Sequence, residues 1–303
     1  MSLLELYNQN PFQQAKVCPQ QKEISLNLSK KQIDDKGIKI LLSNMKSLKQ
    51  LTTIQLLLNN NNIGDKGISD LVNWLNTQQN LVNLSLFISF NSFTKKGIKC
   101  LSEIKQIKSL EKLSLAVSKN ELGQDLAQSL GQFIAKQINV KQLVVIVNEC
   151  DLGNFGAISI CQSTNFLTQL EKLEIFLDGN SMTDQGALNS AKIISKNKQL
   201  KYLHLEVCRF KIKDFNYEGL IYDLRSNVIS QSCAKEIIQT IGTQMPQLET
   251  LNLKALFYSD FSFSQFRKEG YDGLAKDELF TKEDVYNYIE KYLQYLQSKT
   301  IVC

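Results

Sequence analysis

One apolar alternation, restated at an almost constant interval, limits what this chain can fold into. Each copy reads apolar–x–apolar–x–apolar, and the copies begin at Ile24, Ile54, Leu84, Leu113, Leu143, Leu173, Leu203 and Leu251. Successive intervals are 30, 30, 29, 30, 30, 30 and 48 residues. In the first seven copies the third and fifth positions are apolar without exception, as in Leu56 and Leu58 or Val145 and Val147. Such an alternation marks a strand with one buried face. A period of about 30 residues leaves room after each strand for a helix and a return, so the pattern predicts a stacked array of repeats.

A second set of positions follows each strand. Seven residues after the strand start stand Asn61, Asn91, Asn120, Cys150 and Asn180. An apolar residue returns two places later, as at Ile33, Ile63, Phe93, Leu152 and Met182. Glycine stands four places further on, at Gly37, Gly67, Gly97, Gly156 and Gly186. A helical stripe then begins: Ile68, Leu71, Trp74 and Leu75 in the second repeat, Ile98, Leu101 and Ile104 in the third. A lone strand–helix unit cannot bury its apolar face, so the units must stack into one parallel sheet flanked by helices. The Asn row is expected to satisfy backbone groups where each strand ends. Cys150 reads as a structural member of that row rather than a reactive thiol.

At these residues the chain resembles the leucine-rich repeat family of the ribonuclease-inhibitor type: L-x-x-L-x-L, then Asn or Cys, an apolar residue and a glycine-started helix. Two extra residues precede the Asn, as in LSLFISFN from Leu84 to Asn91. This longer unit is similar to leucine-rich proteins that are numerous in ciliated protists. The resemblance covers about residues 20–256. It implies an α/β leucine-rich-repeat solenoid, a horseshoe of about eight repeats with a parallel sheet on the concave face and helices on the convex face. It is weak for function, because the family binds many unrelated proteins.

The grammar breaks at the interval of 48, which carries about 18 extra residues. They fall within 209–231, RFKIKDFNYEGLIYDLRSNVISQ. This insertion reads either as a contact surface, given Phe210, Phe215, Tyr217 and Tyr222, or as a tolerated surface excursion. The domain reading is a solenoid over 1–256, with an N-terminal cap at 1–22, followed by an aromatic segment and a C-terminal capping helix over 257–303. Thr281 and Asp284 form a capping-box pattern for that helix, and Val285, Ile289, Tyr292, Leu293 and Leu296 share one face. The cap is expected near Leu251 and Leu253, because a solenoid needs its open end covered.

Composition removes several function classes. The net charge is +5, yet only Arg209, Arg225 and Arg267 are arginines, so a dedicated nucleic-acid reader is disfavoured. The lysine excess in residues 1–203, 23 basic against 16 acidic, reads as solvated helix faces. The N-terminus, MSLLELYNQNPF, lacks the pattern of a secretory signal. No stretch is apolar enough for a transmembrane helix. Seven cysteines, an odd number with no C-x-x-C pair, favour reduced thiols in the cytoplasm. No phosphate loop, nucleophile elbow or zinc-protease motif occurs. Asp34 with Asp35, and Glu149 with Asp151, fall at strand-to-helix turns, where acids suit a helix N-terminus. His204, the only histidine, is expected to lie exposed and unsupported beside Glu206. No cofactor, metal or small-molecule substrate is implied.

The remaining surface is the face opposite the helices. With positions one, three and five buried, positions two and four point the other way. The fourth positions form one apolar row: Leu57, Phe87, Ala116, Ile146 and Phe176. The second positions beside it are mostly polar: Gln55, Ser85, Ser114, Val144 and Glu174. Such a stripe is expected to dock a protein partner, with Phe210, Tyr217 and Tyr222 as further contacts. The reading is a non-catalytic interaction scaffold, a subunit or adaptor of a larger assembly, and the protist resemblance suggests a ciliary one. The alternative is a GTPase-activating regulator resembling the activator of the Ran GTPase. That family carries an acidic C-terminal region, whereas residues 204–303 hold 12 basic and 14 acidic residues.

Overall fold

The computed structural model describes residues 20–120, 123–207, 227, 229–254 and 300–302. Strands and helices alternate: β1 (Glu23–Asn27), α1 (Asp35–Asn44), β2 (Thr53–Leu57), α2 (Asp65–Leu75), β3 (Asn83–Phe87), α3 (Lys95–Leu101), β4 (Lys112–Ala116) and α4 (Gly123–Lys136). The series continues with β5 (Gln142–Ile146), α5 (Gly153–Ser163), β6 (Lys172–Phe176), α6 (Asp184–Ile194), β7 (Tyr202–Glu206), α7 (Gln231–Gln244) and β8 (Thr250–Lys254). Every strand pairs in parallel with its neighbours in chain order, and the sheet stays open. A short strand, β9 (Thr300–Val302), extends it by pairing Leu251 with Ile301, so the sheet runs one strand beyond the eight expected. Residues 1–19 of the N-terminal cap expected over 1–22, the helix over 281–298 and most of the insertion lie outside the described residues.

The register follows the repeat. Ile24, Ile54, Leu84, Leu113, Leu143, Leu173, Leu203 and Leu251 lie side by side across the sheet. From β2 to β7 the first, third and fifth positions are buried against the helices, where Phe133 and Leu71 are fully enclosed. Leu26 and Leu28 of the first repeat are only partly buried.

The Asn row carries the turns. Asn180 is fully buried. Its amide donates to the carbonyls of Val147, Leu177 and Asp178, and its Oδ1 accepts from the N–H of Cys150 at 2.9 Å. Asn61, Asn91 and Asn120 bond in the same manner across the repeat boundary. The residue before each row member takes a left-handed φ near +55 to +63°, even where it is Phe90, Lys119 or Glu149. In the repeat that holds the insertion, the place is taken by Asn227, which accepts from the N–H groups of Asn180 and Met182, both at 2.9 Å. The excursion therefore ends before Asn227. Ser230, placed by sequence inside it, instead caps α7 by accepting from the N–H of Cys233.

A second ladder was not anticipated. Asn59 Oδ1 accepts from the N–H of Ser89, Ser89 Oγ from Ser118, Ser118 Oγ from Asn148, and Asn148 Oδ1 from Asp178, at 2.9–3.0 Å. The paired carboxylates also divide their work. Asp34 caps its own helix through the N–H of Gly37, while Asp35 accepts from Gly64 and Gly67 at the start of the next helix. Asp65 does the same for Thr94 and Gly97, and Asp184 for Ser230. Burial works to raise the Asp65 carboxyl, but the Thr94 and Gly97 donors outweigh it and hold it below the usual carboxylate range. The glycine in this position is thereby explained: a Cβ on Gly97 would stand 2.6 Å from Asp65 Oδ1 and 3.0 Å from its Cα.

Candidate partner-binding face

The apolar row lies in register across five strands. Leu57 pairs with Phe87, Phe87 with Ala116, Ala116 with Ile146 and Ile146 with Phe176. At ~4.8 Å per strand it spans about 19 Å. Leu57, Phe87, Ile146 and Phe176 are half-buried, on the face away from the helices. Ala116 departs from the expected display: it is 5% exposed. Its methyl group is the shortest in the row, and the longer Phe87 and Ile146 flank it on both sides. The row is thus a notched ridge, with two raised ends and a low centre. Phe210, Tyr217 and Tyr222 lie outside the described residues.

The neighbouring second-position row is polar and partly self-bonded. Ser25 Oγ donates to Gln55 Oε1 at 2.5 Å. Ser85 and Ser114 follow in register, and Val144 and Glu174 continue the line. Lys172 closes on Glu174 at 2.8 Å and lies 4.6 Å from the centre of the Tyr202 ring. The Glu174 carboxylate raises the Lys172 ammonium above its ordinary pKa.

His204 differs from its expected exposed state. Its ring stacks on Phe176 with centroids 4.8 Å apart, and Nε2 lies 3.4 Å from Glu206 Oε2. The two side chains are 14% and 8% exposed. Sequence phase placed His204 beside Glu206. The stack depends on the adjacent strand supplying a flat ring at the right height, which a single repeat does not reveal. Phe176 orients the imidazole, and Glu206 is its polar neighbour. The stack places the imidazole at the end of the apolar row.

Other reactive groups are sequestered. Cys150 and Cys161 are fully buried, and burial pushes both thiols up to about 12. Among the described residues, no group of three or more His, Cys, Asp or Glu is arranged to hold a metal ion, and no helix is long and apolar enough to cross a membrane. A scan against protein-family models and a search of curated proteins both find no match.

Proposed function

We propose that the chain is a leucine-rich-repeat protein of the ribonuclease-inhibitor type: a curved, non-catalytic scaffold that docks a protein partner on the open, concave face of its sheet. The observation that carries this reading is the in-register row Leu57–Phe87–Ala116–Ile146–Phe176, half-buried except at the buried Ala116 and bordered by Ser85, Ser114 and Glu174. An apolar stripe with a polar border is the usual composition of a docking surface. The notch at Ala116 gives one large partner side chain a seat between Phe87 and Ile146. A segment of about 19 Å suits a helix of three to four turns. The free thiols at Cys100, Cys150, Cys161 and Cys233 are in keeping with a cytoplasmic scaffold, and the long repeat suggests membership of a ciliary or other large assembly.

The test begins with affinity capture from the native cell, using the full chain and a Phe87→Asp/Ile146→Asp variant as bait. The variant should keep its circular dichroism and stay within ~1 kcal/mol of the parent in stability, because these side chains are not core. A partner retained by the parent should lose at least ~2 kcal/mol of binding, the scale of a hot spot. A variant that keeps every partner overturns the docking face. Stimulated hydrolysis of GTP by a panel of small GTPases, at substoichiometric protein, would overturn the non-catalytic reading.

A further inference from the structure

The two edges of the array differ in charge. From the last turn of each helix to the following strand, the described residues hold eleven lysines and four glutamates. The opposite edge, from each strand end through the first turn of the next helix, holds seven lysines and eight carboxylates among the described residues. Part of the lysine-rich edge is neutralised: Lys141 pairs with Glu111, Lys192 with Glu236 and Lys201 with Glu171. Lys108, Lys136, Lys196 and Lys198 have no carboxylate partner among the described residues.

Those four lysines surround apolar groups. Lys136, Phe166 and Lys196 each stand 24 residues after the starts of β4, β5 and β6, so they fall in one row across three repeats. Lys108, Ile138, Thr168 and Lys198 lie in a parallel row, each two residues before a buried Leu110, Val140, Leu170 or Leu200. Phe166 is 60% exposed and Ile138 43% exposed, two of the few large apolar side chains so open to water. The aromatic ring thus sits between lysines on either flank, and the aliphatic side chain sits beside one, Lys108, with Thr168 on its other side.

Complementing the helix dipole does not explain the arrangement. That attraction fades beyond the last turn. Lys136 alone of the four lies in a last turn; Lys108 is seven residues past the end of α3, and Lys196 and Lys198 follow α6. The edge is also held rigid by side chains that reach across repeats. Asn139 Nδ2 donates to the Lys108 carbonyl at 2.7 Å, Gln137 Oε1 accepts from the N–H of Ile107 at 2.9 Å, and Gln199 Nε2 donates to the Leu167 carbonyl at 3.2 Å. A preordered edge loses little freedom on binding.

We propose that this edge, over the third to sixth repeats, is a second docking surface, and that its partner is an acidic protein segment with large apolar residues set between its carboxylates. Carboxylates meet the flanking ammonium groups, and the apolar residues cover Phe166 and Ile138. Every described cation on this edge is lysine, a solvated point charge that serves carboxylates well and lacks the planar fork that reads phosphate bidentately. The proposal stands apart from the open-face site and does not depend on it.

The test is fluorescence anisotropy with the full chain and three labelled synthetic peptides: one with glutamates flanking a Leu-Phe pair, one with that pair replaced by serines, and one with the glutamates replaced by lysines. A 12-nucleotide oligouridylate is the fourth probe. The acidic apolar peptide should bind tightest, with an affinity that falls as salt rises. Lys136→Glu/Lys196→Glu should weaken it tenfold or more, and so should Phe166→Ser. Lys196→Glu alone, at a side chain with no bond to the array, should act in the same direction. Phe87→Asp/Ile146→Asp should leave this binding unchanged, which separates the two sites. Equal binding of the serine peptide, tighter binding of oligouridylate, no effect of charge reversal, or no binding of the acidic apolar peptide would each overturn the proposal.

Discussion

Asn180 satisfies more buried backbone than any strand residue around it. Removing its side chain would strand the Val147 carbonyl and the Cys150 N–H in a dry interior, while the Leu177 and Asp178 carbonyls would each lose one of two donors. Each unsatisfied buried group costs ~1–3 kcal/mol, with partial relaxation. Asn180→Ala should therefore lose about 3 kcal/mol or more in urea unfolding. Cys150 fills the same place one repeat earlier with weaker chemistry, its thiol 3.4 Å from the carbonyls of Val117 and Asn148. Cys150→Asn should restore full amide donors and gain ~1 kcal/mol. A loss instead would show that the pocket there is shaped around sulfur.

At the scale of the element, two helical glycines separate steric need from propensity. In a helix, alanine is favoured over glycine by ~1 kcal/mol. Gly131 in α4 has room, since an added Cβ would meet nothing closer than the Ser159 carbonyl at 3.5 Å. Gly97 in α3 has none, because Asp65 arrives from the preceding repeat. Gly131→Ala should raise stability by up to ~1 kcal/mol, and Gly97→Ala should lower it despite its better propensity. A urea series on the two variants reads the difference; matching signs would discard the inter-repeat clamp as the reason for glycine. The strand starts, their register and the Asn row were legible because every repeat restates them in similar residues. The second ladder was not, because Asn59, Ser89, Ser118 and Asn148 share only an oxygen at one place. The Asp35 and Asp65 clamps were half legible. Acids at a helix start are expected, but the N–H groups they bind lie about thirty residues on. The notch at Ala116 and the ring stack at His204 arise from differences in side-chain length between adjacent repeats, which no single repeat contains.

At the scale of the whole molecule, the buried thiols tie stability to alkaline pH. Burial raises Cys150 and Cys161 to about 12, above the ordinary thiol value of ~8.5. Their contribution is full below ~8.5 and is lost as pH rises toward 12, because only the unfolded chain releases those protons in that window. Each thiol adds a slope of at most ~1.4 kcal/mol per pH unit. The urea midpoint should fall between pH 8 and pH 10, and Cys161→Ala should make that fall shallower. An unchanged slope in the variant would remove the thiol from the account. The place of Asn227 has a different consequence. Its amide donates to the carbonyls of Val207 at 2.6 Å and Leu177 at 2.7 Å, so the strand end and the start of the next turn are fastened to each other by one side chain. The array reads only where the chain leaves and where it re-enters, and the length between those two points is free. Residues 208–226 thus mark a port at which evolution can splice a new module, or a protein engineer can graft one, without shifting the phase of any later repeat.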